Sequence, residues 1–190
     1  MKLIIASGNA GKLREIRAIL GEKFDEILSM KEAGIDHETV EDGATFLENA
    51  QKKAREIAEI SGCAALADDS GICVDALDGA PGIYSARFCG RHGDDEANNR
   101  LLIEKLRDAD LRTAHYTCAV SLAFPDGKEL HAEGYMYGEI VDEPRGDGGF
   151  GYDPYFYLPS YGCTAAELSA EEKNKISHRA EALRKLLGLL

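Results

Sequence analysis

In CAALADDSGICVDAL, residues 63–77, a small apolar run meets two adjacent acids, Asp68 and Asp69. A buried carboxylate is costly unless it is paired, hydrogen-bonded or bound to a metal. In an extended segment the two side chains point to opposite faces, so they do not form a matched catalytic pair. One is expected to face a cleft and the other to satisfy backbone amides at a turn. The nearest further acids are Glu38, Glu41 and Asp42 in HETVED. A cleft-facing Asp with one of these makes an all-oxygen site suited to Mg²⁺; solvated acids at the end of a strand are the bland alternative. Lys53 shares a helix side with Phe46. It reaches the same cleft, or else lies along the surface as lysines commonly do.

Three other segments carry chemistry. SGNAGK, Ser7 to Lys12, joins an apolar run to an amphipathic one. A turn that opens a helix offers unpaired amides and partial positive charge, which suits phosphate. It is not a Walker A loop, because Ala6 stands where the first Gly belongs and Leu13 where the Ser or Thr belongs. GGFGYDP, residues 148–154, sets Phe150 and Tyr152 among glycines and next to Asp153. Such aromatics can cover a planar ligand, and the acid can accept from a ring N–H. In EEKNKISHRAEAL, Lys173, Lys175, His178 and Arg179 gather positive charge near the last helix. Each segment also has an ordinary structural reading. Together they are the parts a nucleoside triphosphate requires.

Bulk properties narrow the classes. Formal net charge is -12, which disfavours polynucleotides and anionic membranes while leaving room for a small anion in a local cationic pocket. The five cysteines show no CxxC pair, so neither a zinc site nor a disulfide framework is expected. The N-terminal apolar run is too short for a signal peptide or membrane span, and a soluble cytoplasmic protein is expected.

The elements that must position these residues follow from spacing. KLIIAS, residues 2–7, reads as a buried strand, KLREIRAIL as a helix stopped by Gly21, and FDEILSM as a second strand. Thr45 and Glu48 form a capping-box pattern ahead of a helix that stops at Gly62. A strand ending at the Asp pair comes next, and an Asp94- or Asp95-capped helix follows. TAHYTCAVSLAF and KELHAEGYMYGEIV flank PDG as an antiparallel hairpin. YFYLP is a short strand. Thr164/Glu167 and Ser169/Glu172 are two more capping boxes, and Ser177 is the expected N-cap of the last helix. The alternation predicts an α/β fold with a mixed sheet and a single domain over 1–190, without an interdomain linker.

SGNAGK, ATFLENAQKKA, ADDSGI, GAPGIYSAR, GGFGYDPYF and SHRAEAL occur in this order along nearly the whole chain. In these motifs the chain resembles the non-canonical purine nucleoside triphosphate pyrophosphatases, the HAM1-like ITP/XTP pyrophosphatase family. The resemblance implies an elongated mixed sheet with two α/β lobes flanking a central active-site cleft, and a homodimer. It implies a Mg²⁺-dependent enzyme that hydrolyses ITP, dITP and XTP to monophosphate and pyrophosphate. Carried over by motif, Ser7, Gly8, Asn9, Ala10, Gly11 and Lys12 bind triphosphate. Glu41 and Asp69 hold the metal, with Asp69 as proton acceptor. Lys53 and Ser70 contact substrate. Phe150, Gly151, Tyr152 and Asp153 lie against the base, joined by Lys173, His178 and Arg179. His178 and Arg179 are candidates for the 6-keto edge, and GAPGIYSAR for the neighbourhood of the dimer contact. A nucleotide-binding regulator without turnover is the rival; it could dispense with Asp69 or Glu41.

Overall fold

The computed structural model describes residues 1–21 and 23–190. Seven strands form one sheet in the order β2-β1-β3-β4-β5-β6-β7: Lys2–Ile5, Glu26–Ser29, Ala64–Val74, Thr113–Ala123, Glu129–Ile140, Phe156–Leu158 and Cys163–Thr164 for β1 to β7. β1 pairs in parallel with β2 and β3, whereas β6 pairs antiparallel with β5 and β7. The sheet is therefore mixed, as the alternation of elements predicts. Five helices accompany it: α1 Ala10–Leu20, α2 Phe46–Ser61, α3 Asp95–Lys105, α4 Ala170–Ile176 and α5 His178–Leu187. No helix among the described residues is long and apolar enough to cross a membrane. All five cysteines are free thiols.

The chain divides into two units, each with its own core. Unit 1 comprises Met1–Asp69, Cys118–Gly134 and His178–Leu190; unit 2 comprises Ser70–Thr117 and Tyr135–Ser177. In unit 1 strand alternation sorts the helices. Leu3, Ile5, Ala64 and Leu66 pack with Ile16 and Leu20 of α1 and Leu183 and Leu186 of α5. Ile4, Ala65 and Ala67 pack instead with Ala54, Ile57 and Ala58 of α2. Even-numbered β3 residues thus face α1 and α5, and odd-numbered ones face α2. Unit 2 is built on Ile72, Val74, Leu102, Leu106, Tyr116 and Phe156, the two rings meeting at 4.7 Å between centroids.

Helix ends follow sequence chemistry closely. Thr45 caps α2 by accepting from the Glu48 N–H at 3.1 Å, but the Glu48 carboxylate accepts from Ala44 N–H rather than closing a reciprocal box on Thr45. Both C-terminal capping boxes form as expected. Asp94 caps α3 through Ala97 N–H. Ser177 stands between α4 and α5 and donates its own N–H to Lys173 O at 2.8 Å. A larger departure concerns β3, which does not end at the acids. It runs on through Ser70 and Gly71 to Val74, because Ile72 and Val74 are fully buried and belong to the core of unit 2.

α5 crosses β5 where Gly134 has no side chain. A Cβ there would lie 2.2 Å from His178 O and 2.4 Å from Ala182 N. Both obstacles are backbone, so neither yields cheaply. Gly134→Ala is expected to cost at least about 1–3 kcal/mol, seen as a lower urea midpoint at unchanged m-value.

Candidate active site

The face assignment of β3 decides where its two acids go. Asp68 is even-numbered and meets α1 and α5. Its Oδ2 lies 3.0 Å from Lys12 Nζ and 3.1 Å from Arg179 Nε. Arg179 also pairs with Glu15 of α1. Asp68 and Arg179 are both essentially inaccessible. The result is an internal chain of alternating charge, Lys12–Asp68–Arg179–Glu15. Burial pushes the Asp68 carboxyl up, but Lys12, Arg179 and Lys53 outweigh it and hold the group well below the usual carboxylate range. Asp68 therefore satisfies two cations, not the backbone amides expected of it. Its other oxygen, Oδ1, is buried without a hydrogen-bond partner. Cys118, next to this acid, is pushed up to about 12, first by burial and then by Asp68, so it stays a neutral thiol.

Asp69 is odd-numbered and meets α2. Its Oδ2 accepts from Asn49 Nδ2 at 3.0 Å, and Asn49 Oδ1 in turn accepts from Gly43 N–H at 2.8 Å. One buried amide thus ties the acid to the end of the acidic loop. Lys53, one helical turn on, donates to Glu41 at 2.6 Å, and Lys52 donates to Asp42 at 2.7 Å. Burial alone would lower Lys53, yet Asp69, Asp68 and Glu41 raise it. Asp69 itself is raised from its ordinary value by burial, against the pull of Lys53, Asn49 and Lys12. The outcome is a desolvated carboxylate with heightened proton affinity beside a firmly charged ammonium.

The glycine turn leads into the same unit. Asn9 caps α1, and its Oδ1 accepts from Gly11 N–H at 2.8 Å and Lys12 N–H at 3.1 Å. Ser7 Oγ accepts from Asn9 N–H at 3.2 Å. Gly8, Asn9 and Ala10 are exposed. The turn amides expected to be unpaired are therefore engaged within the turn, those of Gly11 and Lys12 by Asn9 and that of Asn9 by Ser7, while the Lys12 ammonium rests on Asp68.

The aromatic loop belongs to unit 2. Asp153 is buried; its Oδ2 accepts from Phe150 N–H at 2.9 Å and from Lys173 Nζ at 2.6 Å. The Lys173 ammonium lies 5.0 Å from the centroid of the half-buried Phe150 ring. Gly149 has φ +70°, and a Cβ there would come 2.1 Å from Asp153 Oδ2, so only glycine allows this closure. Tyr152 is buried and donates its hydroxyl to Ser85 O at 2.7 Å, tying the loop to GAPGIYSAR. The C-terminal cations thus divide: Lys173 serves Phe150 and Asp153, while Arg179 serves Asp68 and Glu15. His178 is buried at the start of α5. Ser70, half-buried, follows Asp69 in β3.

Across residues 3–189 the chain matches the model of the Ham1 family. The chain belongs to the Ham1 family. Among its relatives, a dITP/XTP pyrophosphatase of Exiguobacterium sibiricum is 53% identical over 192 residues, covering 100% of this chain and 97% of the relative. Another, from Geobacter sulfurreducens, is 50% identical over 184 residues, with 96% of this chain and 92% of the relative covered. The Ham1 protein of Staphylococcus aureus superposes with a TM-score of 0.89 at 40% identity, covering 100% of this chain and 97% of that one. A Ham1 protein from Coxiella burnetii gives 0.90 at 40% identity, covering 100% and 98%. The resemblance read from the ordered motifs is therefore correct at the level of family and fold.

Sequence reasoning missed Glu15 and Asn49. Asn49 sits inside the quoted ATFLENAQKKA, and a buried amide on an otherwise apolar helix face was its one available signal.

Proposed function

We propose that this Ham1 chain is a Mg²⁺-dependent pyrophosphatase of ITP, dITP and XTP, releasing the nucleoside monophosphate and pyrophosphate. The carrying observation is the cluster on the α2 face of β3: a buried Asp69 held by Asn49, with Lys53 on the same helix paired to Glu41. The activity named for its relatives supports the same reading, and nothing favours a silent regulator. Both units are assigned to one catalytic domain, and a cytoplasmic homodimer is the expected form.

Among the described residues no group of three or more His, Cys, Asp or Glu is arranged to hold a metal. Glu41 and Asp69 nonetheless fit Mg²⁺, which takes one or two carboxylates and completes its shell with waters and substrate phosphates. A cation, Lys53, already lies among Glu41, Asp69 and Asp68, so the field there favours positive charge. When bound, the ion supplies charge neutralisation of the triphosphate.

The chain's own residues do the rest. Asp69 accepts the proton of the water that attacks the α-phosphorus, a role suited to its raised proton affinity. Lys12 and Lys53 stabilise charge developing toward the leaving pyrophosphate. The Ser7–Lys12 turn binds triphosphate oxygens, and Ser70 contacts the substrate beside Asp69. Phe150 covers the purine face beside Gly151, Tyr152 anchors the loop from behind through its buried bond to Ser85 O, and Lys173 with Asp153 sets that platform. His178 is assigned toward the 6-keto edge, where a donor rejects adenine by leaving buried groups unpaired; Arg179, inaccessible and paired to Asp68 and Glu15, supports that helix start from within.

A nucleotide panel with resolved products tests this. ITP with Mg²⁺ is expected to give IMP and pyrophosphate, ATP far less, and excess chelator is expected to stop release. Inosine diphosphate plus inorganic phosphate as first products would overturn the reading.

A further inference from the structure

The N-terminal turn of α3 holds the aromatic loop by both backbone groups of one residue. Asp95 Oδ2 accepts from Gly151 N–H at 2.9 Å, and Asn99 Nδ2 donates to Gly151 O at 2.9 Å. Asn99 Nδ2 also donates to Asp95 O at 2.9 Å, which fixes the amide's orientation. The opposite atom, Asn99 Oδ1, is buried with no hydrogen-bond partner. An orphaned buried acceptor is costly and calls for an explanation. Here the grip on the loop carbonyl supplies one. The adjoining Asn98 is buried too and holds the end of GAPGIYSAR and the residues after it, donating to Ala86 O at 3.4 Å and accepting from Cys89 N–H at 2.8 Å.

We propose that Asp95 and Asn99 are positioning residues that set Phe150 and its loop for the purine, and so govern selectivity between bases. Gly151 lies between Phe150 and Tyr152, so fixing its N–H and C=O fixes the backbone that carries the Phe150 ring. A base platform misplaced by an ångström loses discrimination before it loses chemistry at the phosphates. The inference rests on the pyrophosphatase reading above.

The test measures ITP and ATP hydrolysis, with products resolved, for wild type, Asn99→Asp, Asp95→Ala, Asp95→Asn and the control Arg100→Ala, which alters an exposed α3 side chain paired to Glu96. Asn99→Asp keeps shape and loses both donated bonds. Its kcat/KM for ITP is expected to fall about 10- to 100-fold, mainly through KM, and the ITP-to-ATP ratio to fall about tenfold. Asp95 is exposed, so Asp95→Ala is the variant that folds if Asn99→Asp does not; its ITP-to-ATP ratio is expected to fall about threefold or more. Asp95→Asn retains an acceptor for Gly151 N–H and is expected to recover most of that loss. Arg100→Ala is expected to leave the ratio unchanged. An active wild type whose Asn99 and Asp95 variants keep the ITP-to-ATP ratio would overturn this proposal alone. A wild type without pyrophosphate release from ITP would overturn the functional reading and this proposal with it.

Discussion

Asp69→Asn is expected to fold, to bind ITP and to lose at least about 10³-fold in kcat, near the middle of the range for removing a general base. The substitution is nearly isosteric, and the new amide oxygen can still accept from Asn49 Nδ2, the bond that Asp69 Oδ2 makes now. What disappears is a basic carboxylate that burial has raised in proton affinity. The amide keeps an oxygen for Mg²⁺, and removing the negative charge beside Lys53 lessens repulsion of a triphosphate, so substantial affinity should remain. Steady-state kinetics with an equilibrium binding measurement checks both halves. Binding that falls in step with kcat would assign Asp69 to shaping the metal site instead.

The largest effect on stability is expected at the neighbouring acid. Asp68→Ala leaves Arg179 inaccessible and paired through Glu15, and removes the acid from Lys12. Breaking a buried ion pair by deleting one partner costs about 3–5 kcal/mol, against a total stability of roughly 5–15 kcal/mol for a domain. At about 2–4 °C per kcal/mol for a chain of this size, the melting temperature should fall by roughly 6–20 °C. The pH dependence carries the sign. Asp68 titrates lower in the folded state than its ordinary 3.8, so its contribution is complete above that value and is lost as pH falls through the folded pKa. Asp69 is raised and acts oppositely, its protonation on acidification favouring the folded state. Acid unfolding of wild type should therefore steepen below about pH 4, and Asp68→Asn should flatten that limb. A melting temperature unchanged by Asp68→Ala would contradict the charge chain.

Most local structure was legible because it is decided within a few residues. Thr164 with Glu167 and Ser169 with Glu172 close as capping boxes, and PDG closes the hairpin turn through Gly127 N–H to Phe124 O. The opposite facing of Asp68 and Asp69 also follows from strand geometry alone. What escaped was set by distant partners. Asp68, Asp69, Ser70 and Gly71 look like the end of a strand. They lie within one because Ile72 and Val74 beyond them are held in a core built from α3, β4, β5 and β6. Arg179 reads as one of several helix-start cations, and its partner Glu15 stands 164 residues away. The amides Asn49 and Asn99 gave little signal, since an isolated polar residue on a helix does not announce which backbone it will hold.

Asp69, on the α2 face of β3, is assigned to direct water onto the α-phosphorus. Hydrolysis of ITP in ¹⁸O-water, with both products analysed by mass, tests it most directly. The account predicts one label in the phosphate of IMP and none in pyrophosphate. Label in pyrophosphate with unlabelled IMP would mean attack at the β-phosphorus and would contradict the roles given to Asp69, Lys12 and Lys53.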